Sequence, residues 1–351
     1  MEEEKNLLPT EAEAGAERET EAPLDKNIKL MSPTRMVLRR FFRSKLSMAG
    51  LVMLVALFLF CWLGPIVYPV WGETEQDFSG KTEYTVTPVE YERDGETYVF
   101  YQIVETGKPI NALAPPSADH LLGTDKDGRD VFTRLMYGGR ISLAVSFIAV
   151  FAVTLLGIVL GGIAGYFGGW VDNLIMRICD ILMCLPGFPI LLIISTLLDA
   201  ADVPSEFRIY FLMGFLTLFS WTGTARLVRG QILSLREQEY MVAAEAMGYS
   251  TSRRIFKHLI PNVMPQLIVT MTLSLGSMIL YEASLSYLNM GVRAPFAAWG
   301  TMIQIVAEDQ NILQNFFNVW GPPGFCIIVA VLGFNFVGDG LRDALDPKMR
   351  R

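Results

Sequence analysis

The sequence predicts an all-α integral membrane protein with six transmembrane helices and a small extracellular insertion. Three observations lead there. Of 351 residues, 52% are hydrophobic and only 19% charged, a balance that a single water-exposed core does not show. Six nearly uncharged runs approach or exceed the roughly 20 residues that a helix needs to cross about 30 Å of hydrocarbon. None of them alternates like a barrel strand, so each must satisfy its backbone internally as helix.

The runs cover residues 48–68, 141–166, 178–198, 209–225, 267–288 and 319–338. The fourth has 17 residues before Arg226, and Leu227 and Val228 extend it if the arginine snorkels to the headgroups. The third carries Asp180 near its start. A carboxylate costs roughly 3 kcal/mol at the bilayer centre, which about a dozen Leu, Ile and Phe offset. Orientation follows from the cations. Arg35, Arg39, Arg40, Arg43 and Lys45 share one side with Arg226, Arg229, Arg236, Arg253, Arg254 and Lys257 and with Arg342, Lys348, Arg350 and Arg351, whereas the short loops opposite offer only Arg208 and Arg293. Both termini are therefore expected in the cytoplasm. Arg129, Arg134 and Arg140 oppose the rule from a long acidic outer segment, where it is weak. The first span lies too far behind an acidic stretch to be a cleaved signal and is expected to stay as an anchor.

Outside the spans the chain divides by composition. Residues 1–34 read as a disordered acidic cytoplasmic tail, because EAEAGAERETEAP holds too few large apolar groups to offset ordering entropy. Residues 35–70 carry the first span, and 71–140 form the outer segment. There YTVTPVEYERDGETYVFYQIV alternates around Asp94-Gly95, which predicts a β-hairpin. Residues 141–340 hold the remaining five helices, and 341–351 end the chain as a cytoplasmic tail.

Several chemistries are argued against. His120 and His258 and the four cysteines form no cluster spaced as a metal site, disulfide framework or Cys/His pair. Cys61, Cys179, Cys184 and Cys326 fall in or beside apolar runs and read as small hydrophobes. No G-x-x-x-x-G-K-[ST] loop occurs, so ATP hydrolysis is not expected in this chain. An intramembrane enzyme would have to use Asp180 and Glu282, which sit at span edges without a partner at motif spacing. An ion channel or ion-coupled secondary transporter would be expected to hold midplane charges, and the spans are nearly empty of them.

Three connecting segments carry the information. In LGTDKDGRDVFTRLMYGGRISL, Asp, Gly and Arg crowd a turn before the second span, as a contact surface or as a charged helix start at the headgroups. GYFGGWVDNLIMRICD allows a tight turn at Gly165, Gly168 and Gly169. Its Arg177 and Asp180 at i, i+3 read as a structural pair rather than a proton relay. The third segment is REQEYMVAAEAMGYSTSRRIFKHLIPNVMPQL. A helix over 237–247, a cap at Gly248, and a second short helix from Ser250 to about Leu259, stopped by Pro261, are expected. Small Ala243, Ala244 and Ala246 suit a knuckle that another protein approaches closely. The competing reading is an amphipathic hairpin lying on lipid, favoured by Arg253, Arg254 and Lys257.

At this loop the sequence resembles the membrane subunits of bacterial ABC importers, whose signature is EAA, three residues, Gly, nine residues, then I-x-L-P. The corresponding positions are Val242-Ala243-Ala244, Gly248 and His258-Leu259-Ile260-Pro261, with Val242 in place of the first Glu. GTDKDGRD, RLMYGGRISL, the Gly165–Asp180 turn, EASLSYLNMGVRAPFAAWG and GDGLRDALDPKMRR look like the C-type permease subunit of oligopeptide and dipeptide importers. The resemblance covers about residues 35–351, without the acidic tail and the insert of about 81–110. It implies a type I ABC importer transmembrane domain in the bacterial cell membrane, with the first span packed outside the core. It implies as partners a homologous second permease, two cytoplasmic ATPases that bind ATP and Mg, and an extracellular peptide-binding lipoprotein. This chain would bind no cofactor and no metal. The coupling loop 237–261 would meet an ATPase through Glu239, Tyr240, Ala243, Ala244, Glu245, Gly248, His258 and Pro261. Asp125, Asp127, Arg129, Asp130, Arg293 and Trp299 would face the binding protein. The sibling reading is an importer for nickel or another small solute; nickel favours His or carboxylate ligands on the pathway, where neither histidine is expected.

Overall fold

The computed structural model describes residues 33–78, 83–93, 96–107 and 109–346. The acidic tail to residue 32, the hairpin turn at Asp94-Gly95 and the last five residues lie outside the described residues.

The chain opens with a short helix that the span count had not separated, α1 (Pro33–Arg43), rich in arginine. Ser44 breaks it and caps α2 (Lys45–Val67), accepting from the Ser47 amide at 3.3 Å. The outer segment holds β1 (Glu83–Arg93) and β2 (Glu96–Gly107), antiparallel with a register shift between Glu83 and Tyr84, and with Val89 opposite Phe100 and Tyr91 opposite Tyr98. The alternating pattern that predicted the ribbon is explained by this pairing.

α3 (Val131–Phe167) is longer than its expected span because Asp130 caps it well before the apolar run, accepting from the Thr133 amide at 2.7 Å. The third span departs from expectation. It is not one straight helix but α4 (Gly169–Cys184) and α5 (Gly187–Ala200), which meet at 78°. Pro186 has no amide hydrogen and pushes Leu185 into extended geometry (φ −77, ψ 132), so the apolar run continues while the helix does not. α6 (Ser205–Arg236) follows, then α7 (Glu239–Ala246), α8 (Thr251–Arg253) and α9 (Ile260–Tyr287). After α10 (Trp299–Glu308) and α11 (Gln310–Asn315), α12 (Phe317–Leu345) ends the described chain.

Five of these helices are long and apolar enough to cross a membrane, and the bent pair supplies the sixth if counted as one span. α2 packs on α12, α12 on α9, α9 on α3, and α3 on α6. The α3–α6 contact is the most extensive. A Cβ at Gly161 would fall 2.3 Å from the Ala225 carbonyl oxygen, so only glycine permits that approach. Gly157 and Gly165 continue the stripe at four-residue spacing, the small-residue arrangement by which membrane helices gain dispersion contacts. Of the cysteines, Cys61, Cys179 and Cys326 are buried among apolar neighbours, and Cys184 is exposed.

Candidate functional site

Two polar regions stand at opposite ends of the spans. The first is the knuckle between α6 and α9. α7 ends in a closed cap: the Tyr249 amide donates to the Ala244 carbonyl at 3.1 Å, and the Gly248 amide to Glu245 at 2.9 Å. That double bond requires a left-handed residue between them, and Gly248 supplies it at φ +76. A Cβ there would meet nothing within 4 Å, so the requirement is backbone angle and not space. Ser250 then caps α8, accepting from the Arg253 amide at 3.4 Å.

Met241 and Ala244 of α7 are buried, and Met241 joins Ile232 of α6 with Leu259, Val263 and Leu267. Ala244, expected among the approachable small residues, is thus spent on anchoring the knuckle. Outward stand Ala243, Ala246, Val242 and Met247, the last two 60% and 64% exposed, beside Phe256 at 69%. Glu239 and Glu245 are exposed, and Glu245 pairs with Arg254 at 2.9 Å. The Tyr240 hydroxyl accepts from Asn262 at 3.3 Å, and His258 stacks on Tyr249. Pro261 does not stop the helix, contrary to expectation. A π turn, Arg254–Leu259, widens the backbone just before it, and Pro261 enters the first turn of α9, where its missing amide hydrogen costs nothing. Pro261 itself is exposed.

The second region is the outer belt. His120 is buried between two carboxylates, with Nδ1 3.0 Å from Asp130 and Nε2 3.3 Å from Asp77. Its ring stacks on Trp71 at 4.5 Å. Asp125 accepts from the Asp127 and Arg129 amides at 2.9 Å each and faces Arg134 at 3.2 Å. Arg129 pairs with Asp127 at 2.8 Å, and Arg134 donates to the Pro295 carbonyl at 2.8 Å. Lys126 bonds Glu308; this hydrogen bond, then that from Gln304, holds the Glu308 carboxyl below its ordinary value.

Part of this belt lines a cleft of about 490 Å³. Asp125, Asp127, Arg129 and Arg293 line it, but the other two expected outer contacts do not. Asp130 is 1% exposed, its oxygens taken by Thr133 and His120. Trp299 is wholly buried and donates its indole N–H to the Leu135 carbonyl at 3.0 Å. Burial satisfies both its large apolar ring and its one donor, so packing within the protein holds it. A group not singled out from sequence is Asp199, which bridges Arg208 and Arg293 beside the cleft. The two loop arginines had pointed to this side without revealing their shared carboxylate.

Between the two regions the interior is almost without charge. A hollow of about 390 Å³ between α3, α6 and α9 is lined by Thr154, Ser220, Thr224, Ser274, Ser277 and Tyr281 with apolar neighbours, and no charged group lines it. Toward the knuckle, Asp172 takes both oxygens to Arg229 at 2.5 Å. Asp180 lies 2.5 Å from Arg226 and 3.9 Å from Arg177, so the expected i, i+3 pair is the weaker of its two contacts. Glu282 lies five residues before the end of α9 at Tyr287, near the span edge where it was expected. It is fully buried in α9 and accepts from Ser286 at 2.7 Å. No group of His, Cys, Asp and Glu among the described residues could hold a metal ion.

The comparisons with known proteins cover both regions. The family described as the binding-protein-dependent transport system inner membrane component matches residues 157–351. The N-terminal TM domain of oligopeptide transport permease C matches residues 32–82. The oligopeptide transport system permease protein OppC of Bacillus subtilis is 37% identical over 314 residues, 89% of this chain and 88% of that one. The dipeptide transport system permease protein DppC of the same organism is 38% identical over 323 residues, 92% and 88% of the two chains. A solved inward-facing MetNI methionine ABC transporter covers 61% of this chain and 96% of its own, at 19% identity and a TM-score of 0.47.

Proposed function

Because the chain belongs to the inner-membrane permeases of binding-protein-dependent transport systems, we propose that it forms, with a homologous second permease, the peptide pathway of an ATP-driven importer. The chain is a multi-pass membrane permease component. The relatives OppC and DppC are named for oligopeptide and dipeptide transport, which favours peptide over nickel as the cargo.

The observation that carries the reading is the knuckle: an exposed apolar cap of Val242, Ala243 and Met247 on a helix fixed from behind by Met241 and Ala244. Such a cap fits a protein groove, since small and apolar groups allow close approach and desolvation. Its roots run into α6 and α9, so a push on α7 moves two spans together. Partner ATPases binding ATP and Mg would close on this knuckle and rock the spans, while this chain contributes no catalytic group. Glu239, Glu245 and Tyr240 rim the contact, and His258 and Pro261 shape its second half. The uncharged, hydroxyl-lined hollow suits passage of peptides that differ in side-chain charge, since it holds none of them by an ion pair. At the outer end, Asp125, Asp127, Arg129 and Arg293 would meet the binding protein, with the positive-rich face in the cytoplasm.

Purification in gentle detergent from the native membrane tests the reading. A second permease and two ATPases should copurify, and membranes holding the complex should take up labelled di- to pentapeptides. Recovery of the chain alone, at normal expression, would remove the energy source and overturn the proposal.

A further inference from the structure

The geometry points to a binding surface for anionic phospholipid headgroups on α1, independent of which solute the permease carries. From residue 33 to residue 45 the chain carries Arg35, Arg39, Arg40, Arg43 and Lys45 and no acidic residue. At about 100° per residue these arginines fall on one arc of the helix, and Val37, Phe41, Leu38 and Phe42 fall on the opposite one.

The two arcs are put to different uses. Phe41 is buried, its ring 3.3 Å from where a Cβ would stand on Gly340 of α12, so the middle of the apolar arc fastens α1 to the protein. Leu38 and Phe42 lie at the edge of that arc and remain 55% and 54% exposed. Arg35, Arg39 and Arg43 are exposed alongside them. Only Ser44 separates this helix from the membrane-spanning α2, so α1 cannot leave the bilayer surface.

A helix held there, with exposed Leu and Phe beside a stripe of arginines, meets acyl chains with one edge and headgroups with the next. Arginine presents paired donors that match phosphate oxygens. The stretch holds five cations and no acid in its sequence, and exposed Arg43 and Lys45 favour an anionic over a zwitterionic headgroup. An aqueous protein partner would leave the apolar edge against a polar surface, whereas the bilayer next to α2 supplies both media at the right heights.

The test uses the assembled full-length permease in nanodiscs of phosphatidylglycerol and phosphatidylcholine in equal amounts, with retained lipids counted by native mass spectrometry. Phosphatidylglycerol should be retained in preference. Each arginine reaching the headgroups contributes about fivefold, so R39Q/R40Q/R43Q should reduce the preference by up to about a hundredfold. R39K/R40K/R43K should keep most of it, and soluble glycerol 1-phosphate should not displace the lipid. Equal retention of the two lipids, or an unchanged preference in the glutamine variant, would overturn the proposal. Displacement by glycerol 1-phosphate would overturn the lipid as the ligand. Should the triple variant fail to insert, Arg43→Gln alone decides, through a loss of about fivefold expected from one charge.

Discussion

The knuckle and the outer belt are both polar ends of the same spans, yet they are built in opposite ways. The knuckle is made almost wholly of neighbours in sequence: Gly248 turns on Ala244 and Glu245, and Ser250 caps Arg253. The outer belt joins residues far apart, with His120 reaching Asp77 across 43 positions and Lys126 reaching Glu308 across 182. A locally closed element keeps its shape while it moves as a body, which suits a lever. A belt of long-range ion pairs and hydrogen bonds holds several segments in one arrangement, which suits a fixed mouth.

The largest effect should come from the backbone of the lever. Gly248→Val forces a β-branched side chain to φ +76, where non-glycine residues pay roughly 1–2 kcal/mol and branched ones more. α7 would lose its closed end, and peptide uptake should fall more than tenfold by this estimate while the spans still insert. Gly248→Asn, which tolerates the left-handed region, should recover much of the uptake. Since a Cβ at this site meets nothing within 4 Å, failure of the asparagine variant to differ from valine would show that the turn angle is not what the lever needs.

An effect of another kind, on stability and not on uptake, is expected at the outer belt. Trp299→Ala empties a wholly buried indole site and its hydrogen bond to Leu135, a loss of about 3–5 kcal/mol. The Tm of the reconstituted permease should drop by several degrees. Trp299→Phe, which keeps most of the volume, should lower it less. A Tm left unchanged by Trp299→Ala would return Trp299 to the exposed surface where its sequence position had suggested it.

The same contrast explains what the sequence made legible. Gly248 and Ser250 were readable because their partners lie within a few residues, and the hairpin because its alternating pattern runs on both sides of one short turn. The roles of Asp130 and Trp299 were not, because His120, itself held by Asp77, reaches Asp130 only in the folded outer segment, and Leu135 reaches Trp299 only through the packing of α3 and α10. Two features lay in plain view and were missed. Leu185-Pro186-Gly187 interrupts an apolar run, but hydropathy counts atoms and not amide hydrogens, so the 78° bend passed as one span. Gly157, Gly161 and Gly165 repeat at the spacing of a close helix contact, and it marks the α3–α6 seam. The π turn before Pro261 is less accessible, since a proline after a short helix more commonly ends it. Nothing in the residues 254–259 alone says that the backbone will widen instead.

The smallest expected effect tests whether a single long-range pair matters to the belt. Lys126 and Glu308 are both more than two-fifths exposed, so their pair is screened by water and worth at most about 1 kcal/mol. The Glu308 carboxyl is held below its ordinary value in the folded protein, first by Lys126 and then by Gln304. The unfolded chain therefore binds a proton at higher pH than the folded one. The stabilisation is fully present above the unfolded glutamate value of about 4.3 and disappears as pH falls through the lower folded value. Glu308→Gln removes it at all pH values. The Tm difference between wild type and this variant should be small at pH 7, shrink below about pH 4.3 and approach zero as the acid form takes over. A difference that persists unchanged at low pH would place the contribution of Glu308 in packing rather than charge, and the belt would then resemble the knuckle more than the contrast drawn between them allows.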